Sequence, residues 1–368
     1  MQGFIYCAVL LSYLITAKLD GQPDHHSADY LVKRGHYKQA RVLLDKQLTE
    51  NPRDVESLVL RAQVDLAYDR VDEATRLLRR AISLQPNSVA AHLALAEVYG
   101  HNSDDLGMFD KARAARLTKD EIEQALVISP NNIDALDNMV QFQLQAPGIV
   151  GGSTSKASET ADKVESLDPV RGYLAKGQIA LHKQEGENAE TLYLKAIATN
   201  PRSYQALMQL VSYYMNTKWK NFDKAEKWAV MAEKLEADQI TPYVVLAQIY
   251  SSRERWQELD VLLSSAEKHV DDNLLPHYVA ARTLAASGRD NARAERYLRS
   301  YLAQEPEGNA PVLAGAHWRL GQVLEKEGKK AEAQKELEIA LTLKPKLSDQ
   351  QLRQVSADLD RLKRSQSS

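Results

Sequence analysis

The residues of this sequence that could do chemistry are nine histidines, a single cysteine and many carboxylates. None of the histidines lies in an H-E-x-x-H segment, and none has the spacing of a histidine–cysteine zinc site. No G-x-S-x-G segment is present to position a nucleophilic serine. Charged residues make up 26% of the chain, so neighbouring carboxylates such as Glu325 and Glu327 arise by chance. The sequence therefore predicts no catalytic residue, no metal ligand and no cofactor.

Four short segments suggest ligand sites but do not meet the requirements of those sites. The segment 151–156, GGSTSK, lacks the residue order of a phosphate loop and follows no predicted strand. The aspartate pairs 104–105 and 271–272 lack the alternating oxygen ligands of a calcium loop, so helix capping is their expected role. For the histidine pair 25–26, metal binding is conceivable, and a solvated loop is the favoured interpretation.

The only long apolar run is residues 4–17, FIYCAVLLSYLITA. This run is short for a membrane span and is typical of the core of a signal peptide. Residues 1–20 are therefore predicted to be a signal peptide or an N-terminal anchor, and the mature chain is expected to be exported, periplasmic or secreted. No lysine or arginine precedes the run, which leaves an uncleaved membrane anchor as the alternative. Cleavage would remove Cys7, the only thiol.

The composition is that of an ordinary water-soluble protein. Hydrophobic residues make up 44% of the chain and the formal net charge is −3. A chain with so small a net charge is not drawn strongly to nucleic acid or to an anionic membrane. The composition therefore gives no reason to expect nucleic acid or an anionic membrane as the partner.

A series of seven spaced prolines indicates the elements that position these residues. Successive members of this series are separated by 34, 44, 39, 32, 105 and 39 residues, and 105 is three periods of 35. Such a period near 34, ending in proline, predicts a helix-turn-helix repeat, because proline cannot continue a helix. The prolines are Pro52, Pro86, Pro130, Pro169, Pro201, Pro306 and Pro345.

One period, residues 314–347, contains two apolar stripes at helical spacing separated by Gly328. Small residues on the stripes allow the two helix axes to approach closely where they cross. The first stripe is Leu320, Gly321 and Leu324, and the second is Ala333, Leu337 and Ala340.

The same pattern recurs in residues 55–86, 170–201 and 240–273, and it resembles the tetratricopeptide repeat family. The resemblance implies an all-α fold, a right-handed α-solenoid of about nine helix-turn-helix repeats whose first helices line a concave groove. The solenoid is predicted over residues 24–346 and a capping helix with a tail over 347–368. The sequence departs from the family pattern at Arg61 and Lys176, which replace a leucine, and at Leu259, which replaces a small residue.

One polar position repeats along the expected groove. A glutamine directly follows the small residue of the first helix in four repeats, and its amide can both donate and accept hydrogen bonds. These residues could hold the backbone of an extended peptide, although a polar residue here also serves solubility alone. Other outward positions include Glu56, Arg171 and Trp318, which do not form the carboxylate clamp of chaperone-binding relatives. The four glutamines are Gln63, Gln178, Gln248 and Gln322.

Three repeats are expected to have enlarged turns between their first and second helices, at 100–110, 146–157 and 216–222. Insertions on one face of a repeat array often mark its binding face. Glycines in the second of these turns allow its backbone to approach a ligand closely, and a tolerated surface insertion is the alternative. The residues predicted to contact a partner there are Pro147, Gly148, Gly151 and Gly152.

The sequence thus predicts a non-catalytic scaffold that binds a protein segment, binds no nucleic acid and touches a membrane only through an uncleaved N-terminal segment. The resemblance favours a role in the cell envelope, in assembly, secretion or polysaccharide export. A regulatory or substrate-presenting subunit of an enzyme complex is the alternative, and an enzyme with a site across the enlarged turns is a remote one.

Overall fold

The computed structural model describes residues 27–101, 107–308, 313–343 and 347–367. The predicted signal segment, Cys7 and the pairs 25–26 and 104–105 lie outside these ranges. No helix within the described ranges is both long and apolar enough to cross a bilayer.

The described residues form an all-α fold in which nine helix pairs are followed by one last helix. The 105-residue interval from Pro201 to Pro306 contains two helix pairs that end without proline, as its length of three periods predicts. A short 3-10 helix, Gly148–Val150, precedes α8. The first four pairs are α1 Ala28–Arg34 with α2 Tyr37–Glu50, α3 Val55–Ala67 with α4 Val71–Leu84, α5 Val89–Gly100 with α6 Met108–Ile128, and α7 Ile133–Gln145 with α8 Thr154–Leu167. The other five are α9 Pro169–His182 with α10 Gly186–Thr199, α11 Tyr204–Met215 with α12 Phe222–Leu235, α13 Ile240–Ser252 with α14 Trp256–His269, α15 Leu275–Ser287 with α16 Asn291–Leu302, and α17 Leu313–Lys326 with α18 Lys330–Thr342, before α19 Asp349–Ser367.

Short polar side chains start several of the first helices directly after the turn that ends the preceding repeat. The hydroxyl of Ser88 accepts a hydrogen bond from the N–H of Ala91 at 3.3 Å, and Asn132 accepts from Ala135 at 2.8 Å. Each cap satisfies an N–H group that the helix itself cannot pair. Asp54, Asp168 and Ser203 cap α3, α9 and α11 in the same way.

The turn from the first to the second helix passes through the left-handed region of backbone conformation in several repeats. In the ninth repeat Gly328 has a φ of 77°, and the N–H of Lys329 donates to the carbonyl of Leu324 at 2.9 Å. This arrangement closes the C-terminus of a helix and suits glycine, which pays no steric cost there. The residues with positive φ in the corresponding turns are Gly35, Asp69, Gln184, Glu254 and Gly288.

Small residues lie where the paired helices cross, as the sequence predicts. Gly321 is so close to α18 that a Cβ atom would lie 2.8 Å from the side chain of Leu337. At the corresponding place in the fifth repeat, a Cβ on Gly177 would lie 2.3 Å from the ring of Tyr193, which is fully buried. Leu259, which replaces a small residue, is fully buried too.

The chain forms two compact units. In unit 1 (Met1–Lys33, Gln39–Gln63, Asp72–Thr160), α5 contacts both α6 and α7. In unit 2 (Arg34–Lys38, Val64–Val71, Ala161–Ser368), first helices contact their own second helix and the next first helix, as α13 contacts α14 and α15. Neighbouring first helices therefore pack on one another, as α5 does on α7 and α13 does on α15.

Charged side chains replace leucine at two positions and are paired with the second helix of the preceding repeat. Arg61 forms an ion pair with Asp45 of α2. Lys176 lies 2.6 Å from Asp162 and also pairs with Glu165 of α8. Both departures from the family pattern thus replace apolar packing between repeats with an ion pair.

The last helix packs on the ninth repeat. Val355 and Leu362 are fully buried and Leu359 is 8% exposed, so residues three or four apart form the apolar stripe of this helix. The hydroxyl of Ser348 accepts from the N–H of Gln351 at 3.4 Å and caps the helix.

Candidate protein-binding surface

The predicted glutamine row lies on the first helices. Each of its four members directly follows a small residue that is buried, and each is itself half-buried. The side chains of Gln63, in unit 1, and Gln248, in unit 2, have no hydrogen-bonding partner among the residues that the structure describes. Their amides remain available to a partner, with a donor and an acceptor each.

The row has two further members that the sequence analysis missed. Gln141 lies nine residues after the N-cap of α7, just as Gln248 lies nine residues after that of α13. Glu97 holds the same place in α5, nine residues after Ser88. Burial raises the pKa of its carboxyl to about 7. Gln141 was missed because it follows Val140, which is not a small residue, and Glu97 was missed because it is a glutamate and not a glutamine.

Gln322, the last member of the row, is engaged by the final helix. Its amide nitrogen donates to the carboxylate of Asp358 at 3.0 Å, and its oxygen accepts from Arg319 at 3.0 Å. Trp318 donates to the same Asp358 carboxylate at 2.9 Å. Trp318 is only 5% exposed, so its expected outward position is wrong: α19 covers it.

The second enlarged turn is shorter than predicted, because Thr154–Ala157 already belong to α8. Gly151 has a φ of 116°, and a Cβ on Gly152 would lie 1.7 Å from the carbonyl oxygen of Ala146. The close packing of the turn therefore explains both glycines. Pro147 and Gly148 are exposed at its start.

Hydrogen bonds inside this turn already use its N–H groups. Those of Val150 and Gly152 donate to the carbonyl of Pro147, at 3.0 and 3.1 Å, and that of Gly151 donates to Gly148 at 3.1 Å. Ile149 projects from the turn with 88% of its surface exposed. The turn can therefore offer an apolar side chain to a partner, but these three backbone N–H groups are already hydrogen-bonded.

The first enlarged turn also differs from its prediction. Gly100 ends α5 and Met108 begins α6, so residues 108–110 are helical, while 102–106 lie outside the described residues. α6 has 21 residues, against 12 to 14 for most other second helices. Its first two side chains, Met108 and Phe109, are 81% and 89% exposed. The insertion therefore lengthens a helix that presents apolar side chains to solvent.

The third enlarged turn, in unit 2, follows the predicted bounds, since α11 ends at Met215 and α12 begins at Phe222. Trp219 stacks on Tyr213 with ring centroids 5.4 Å apart. A Cβ on Gly186 would lie 2.2 Å from the Trp219 indole nitrogen. This turn thus packs against the fifth repeat.

Several histidines pair with carboxylates across the two helices of one repeat. His92 of α5 lies 2.6 Å from Glu121 of α6, and His317 of α17 lies 2.6 Å from Glu336 of α18. In the described part of the chain, no group of three or more histidine, cysteine, aspartate or glutamate residues is placed to hold a metal ion. These pairs join helices within a repeat.

Comparison with sequence families decides the class of the protein. Residues 31–98 and 278–348 each match a family described as tetratricopeptide repeat. The chain contains tetratricopeptide repeats over these residues. Its nine helix pairs form an all-α solenoid of helical repeats, an architecture that in general serves as a non-catalytic scaffold for protein–protein interaction.

Several solved structures are similar to this repeat protein at low identity. A thermophilic TPR protein of Thermus thermophilus is 18% identical, with 51% of this chain and 96% of that one covered and a TM-score of 0.46. Yeast Tom70 is 17% identical, with 92% and 80% covered and a TM-score of 0.45. Pseudomonas aeruginosa PilF is 16% identical, with 63% and 100% covered and a TM-score of 0.36. No protein with a curated function matches the sequence significantly.

Proposed function

We propose that this repeat protein is an exported, non-catalytic scaffold that binds an extended segment of a partner protein along its first helices. The observation that carries the proposal is the glutamine row. An extended segment offers one N–H donor and one C=O acceptor at each residue, and a glutamine amide can pair with both. Recognition of this kind holds a peptide backbone without dictating the partner's side chains.

Each of the two described units carries members of the glutamine row. Gln63 in unit 1 and Gln248 in unit 2 keep amide groups that no described residue occupies. The side chain of Glu97 adds a carboxyl group whose pKa of about 7 lets it be neutral or charged near physiological pH. The exposed Ile149 adds an apolar contact at the edge of unit 1.

Site-specific crosslinking in cells tests the binding surface. A photo-crosslinking amino acid would replace Gln63 or Gln248 in the full chain, and Gln257 as a control, since Gln257 is an exposed glutamine on the second helix α14. We expect both row positions to capture the same protein and the control position to capture none of it.

Two results would contradict this proposal. In the first, Gln257 captures the same proteins as the row positions, which would indicate nonspecific contact. In the second, neither row position captures any protein, although the variants are folded by circular dichroism. A single stoichiometric enzyme as the captured protein would favour the alternative of a regulatory or substrate-presenting subunit.

We further propose that the scaffold acts in the cell envelope, in assembly, secretion or polysaccharide export. The apolar run 4–17 supports export, because its length is typical of a signal peptide. Cell fractionation with an epitope at the C-terminus tests this part separately. A mature chain found only in the cytoplasm would refute the envelope role and leave the binding surface intact.

A further inference from the structure

The turn of the first repeat is held by the ends of later repeats, and all of these residues belong to unit 2. Arg34 donates to Asp238 at 3.2 Å and to Glu236, in the turn after α12. His36 Nδ1 lies 2.8 Å from Asp272 in the turn after α14. Asp272 is therefore not the helix cap that the sequence predicts but a partner of a residue 236 positions away. The repeats that end in these two turns are those without a terminal proline.

A second set of contacts joins the same turn to the end of the eighth repeat. The side-chain nitrogen of Lys38 donates to the carbonyls of Asp272 and Glu305, at 2.6 and 2.7 Å. The backbone N–H of Lys38 donates to the carboxylate of Glu307 at 2.9 Å. Nearby, the hydroxyl of Tyr68 donates to the carbonyl of Pro306 at 3.2 Å.

Glu307 is the most deeply buried charged group of this cluster, since its side chain has no exposed surface. Its Oε1 atom accepts no hydrogen bond from the described residues, and the side-chain nitrogen of Lys38 is 3.9 Å away. Burial, with the neighbouring Asp272, raises the pKa of Glu307 to about 8. A proton on this carboxyl removes the buried charge and can be donated to Asp272.

His36 and Asp272 stabilise each other's charged forms. Burial opposes the charge on His36, but the hydrogen bond to Asp272 and the nearby carboxylate charges together outweigh burial, and the pKa of His36 is raised. Burial likewise opposes the charge on Asp272, but the hydrogen bond from His36 and the charges of His36 and Lys38 together outweigh burial, and the pKa of Asp272 is lowered. The charged groups around the pair are the cations Arg34 and Lys38 and the acids Glu236, Asp238 and Glu307.

We propose that His36, Asp272 and Glu307 form a proton-controlled tie, which holds the first-repeat turn Arg34–Lys38 against the ends of the later repeats in mildly acidic solution and releases it as the pH rises. The protonated tie holds one histidine cation, one aspartate anion and one neutral carboxylic acid. Loss of the two protons leaves two carboxylates buried side by side beside an uncharged imidazole.

The direction of the pH dependence follows from the three groups. Glu307 binds its proton more tightly in the folded chain, so its contribution is complete below its ordinary pKa of 4.5 and is lost as the pH rises through about 8. His36 also binds its proton more tightly, so its contribution is complete below its ordinary pKa of 6.5 and is lost as the pH rises through its raised pKa. Asp272 binds its proton less tightly, so its contribution is lost below its ordinary value of 3.8. The tie is therefore tightest in the mildly acidic range.

Hydrogen–deuterium exchange of the peptide spanning residues 34–40 in the full chain measures the tie. After correction for intrinsic exchange rates, we expect its protection factor to fall about tenfold or more between about pH 6 and about pH 9. Peptides from the core of α11 are expected to keep their protection, which distinguishes local release from global unfolding. Equal protection of residues 34–40 at both pH values would overturn the proposal.

Two variants distinguish the effect of the proton on the protection factor from the effect of side-chain packing. Glu307→Gln cannot ionise, so its protection is expected to change less than about threefold over the same range. His36→Gln removes the cation at every pH, so its protection is expected to be low already at pH 6. The control Glu258→Gln alters an exposed carboxylate of unit 2 and should keep the wild-type response. A wild-type response in either Glu307→Gln or His36→Gln would overturn the proposal.

Discussion

At the scale of single residues, the close packing of paired helices depends on glycines, which have no side chain at the place where the helices cross. Gly177 and Gly321 lie where the axes of α9 and α10, and of α17 and α18, cross most closely. The sequence pattern located both, because glycine recurs at fixed distance from the other residues of the repeat. It could not show that Tyr193 fills the space above Gly177, since that requires the register between two helices.

Gly177→Ala is expected to destabilise the chain by about 1–3 kcal/mol, because its Cβ would lie 2.3 Å from the ring of a fully buried tyrosine. Gly315→Ala is the control, since its Cβ would meet no atom closer than 3.8 Å. The control should be neutral or stabilising by up to about 1 kcal/mol, because alanine favours helix. Urea unfolding followed by circular dichroism measures both. Equal destabilisation by the two substitutions would contradict the assigned packing.

At the scale of elements, α19 is more than an amphipathic cap. Its apolar stripe can be read from residue spacing alone, because Val355, Leu359 and Leu362 recur at intervals of three or four and all are buried. Its polar contact cannot be read in this way, because Asp358 meets Trp318 and Gln322 from a helix 36 to 40 residues away. Burial opposes the charge on Asp358, but the hydrogen bonds from these two side chains and Arg361 outweigh it and lower the pKa.

Asp358→Ala is expected to weaken the docking of α19 by about 1–3 kcal/mol, because the buried Trp318 and the half-buried Gln322 lose a charged acceptor. Limited trypsin digestion, which cleaves after Arg353 or Arg361 once the helix is released, measures this change. Asp360→Ala removes a carboxylate from the exposed face of the same helix and should digest at the wild-type rate. If both variants digest alike, the contact with Trp318 does not hold the helix.

At the scale of the whole molecule, unit 2 has a regular series of charge contacts between successive repeats. The partners in these contacts are 33 or 34 residues apart, which is one repeat. An exposed ion pair contributes little to the folding stability on its own. The stabilisation from this series therefore depends on its partly buried pairs. The contacts are Glu190 with Lys224, Asp260 with Arg293, and Glu295 with Lys329.

Glu295→Gln tests this series, because Glu295 joins the eighth and ninth repeats and its side chain is only 14% exposed. Burial alone would raise the pKa of Glu295, but hydrogen bonds from Lys329 and Arg299 lower this pKa to about 2. The stabilisation is therefore present above pH 4.5 and is lost as the pH falls toward 2.

We expect Glu295→Gln to lose about 1–2 kcal/mol at neutral pH and little at about pH 2. Glu332→Gln, at a carboxylate that is 55% exposed, should lose less than about 0.5 kcal/mol. Urea unfolding at both pH values measures the difference. A loss for Glu295→Gln that does not depend on pH would indicate that lost packing is its cause.

The sequence by itself determined the repeat architecture and the glutamine row, because both depend on local helix formation and on residue spacing that recurs every 34 residues or so. It also located Gly328 and the apolar stripe of α19. It did not determine which residues meet across many repeats, as His36 and Asp272 do. Only the tertiary structure decided that contact, because the two residues lie 236 positions apart and the residue spacing within a repeat does not encode so distant a contact.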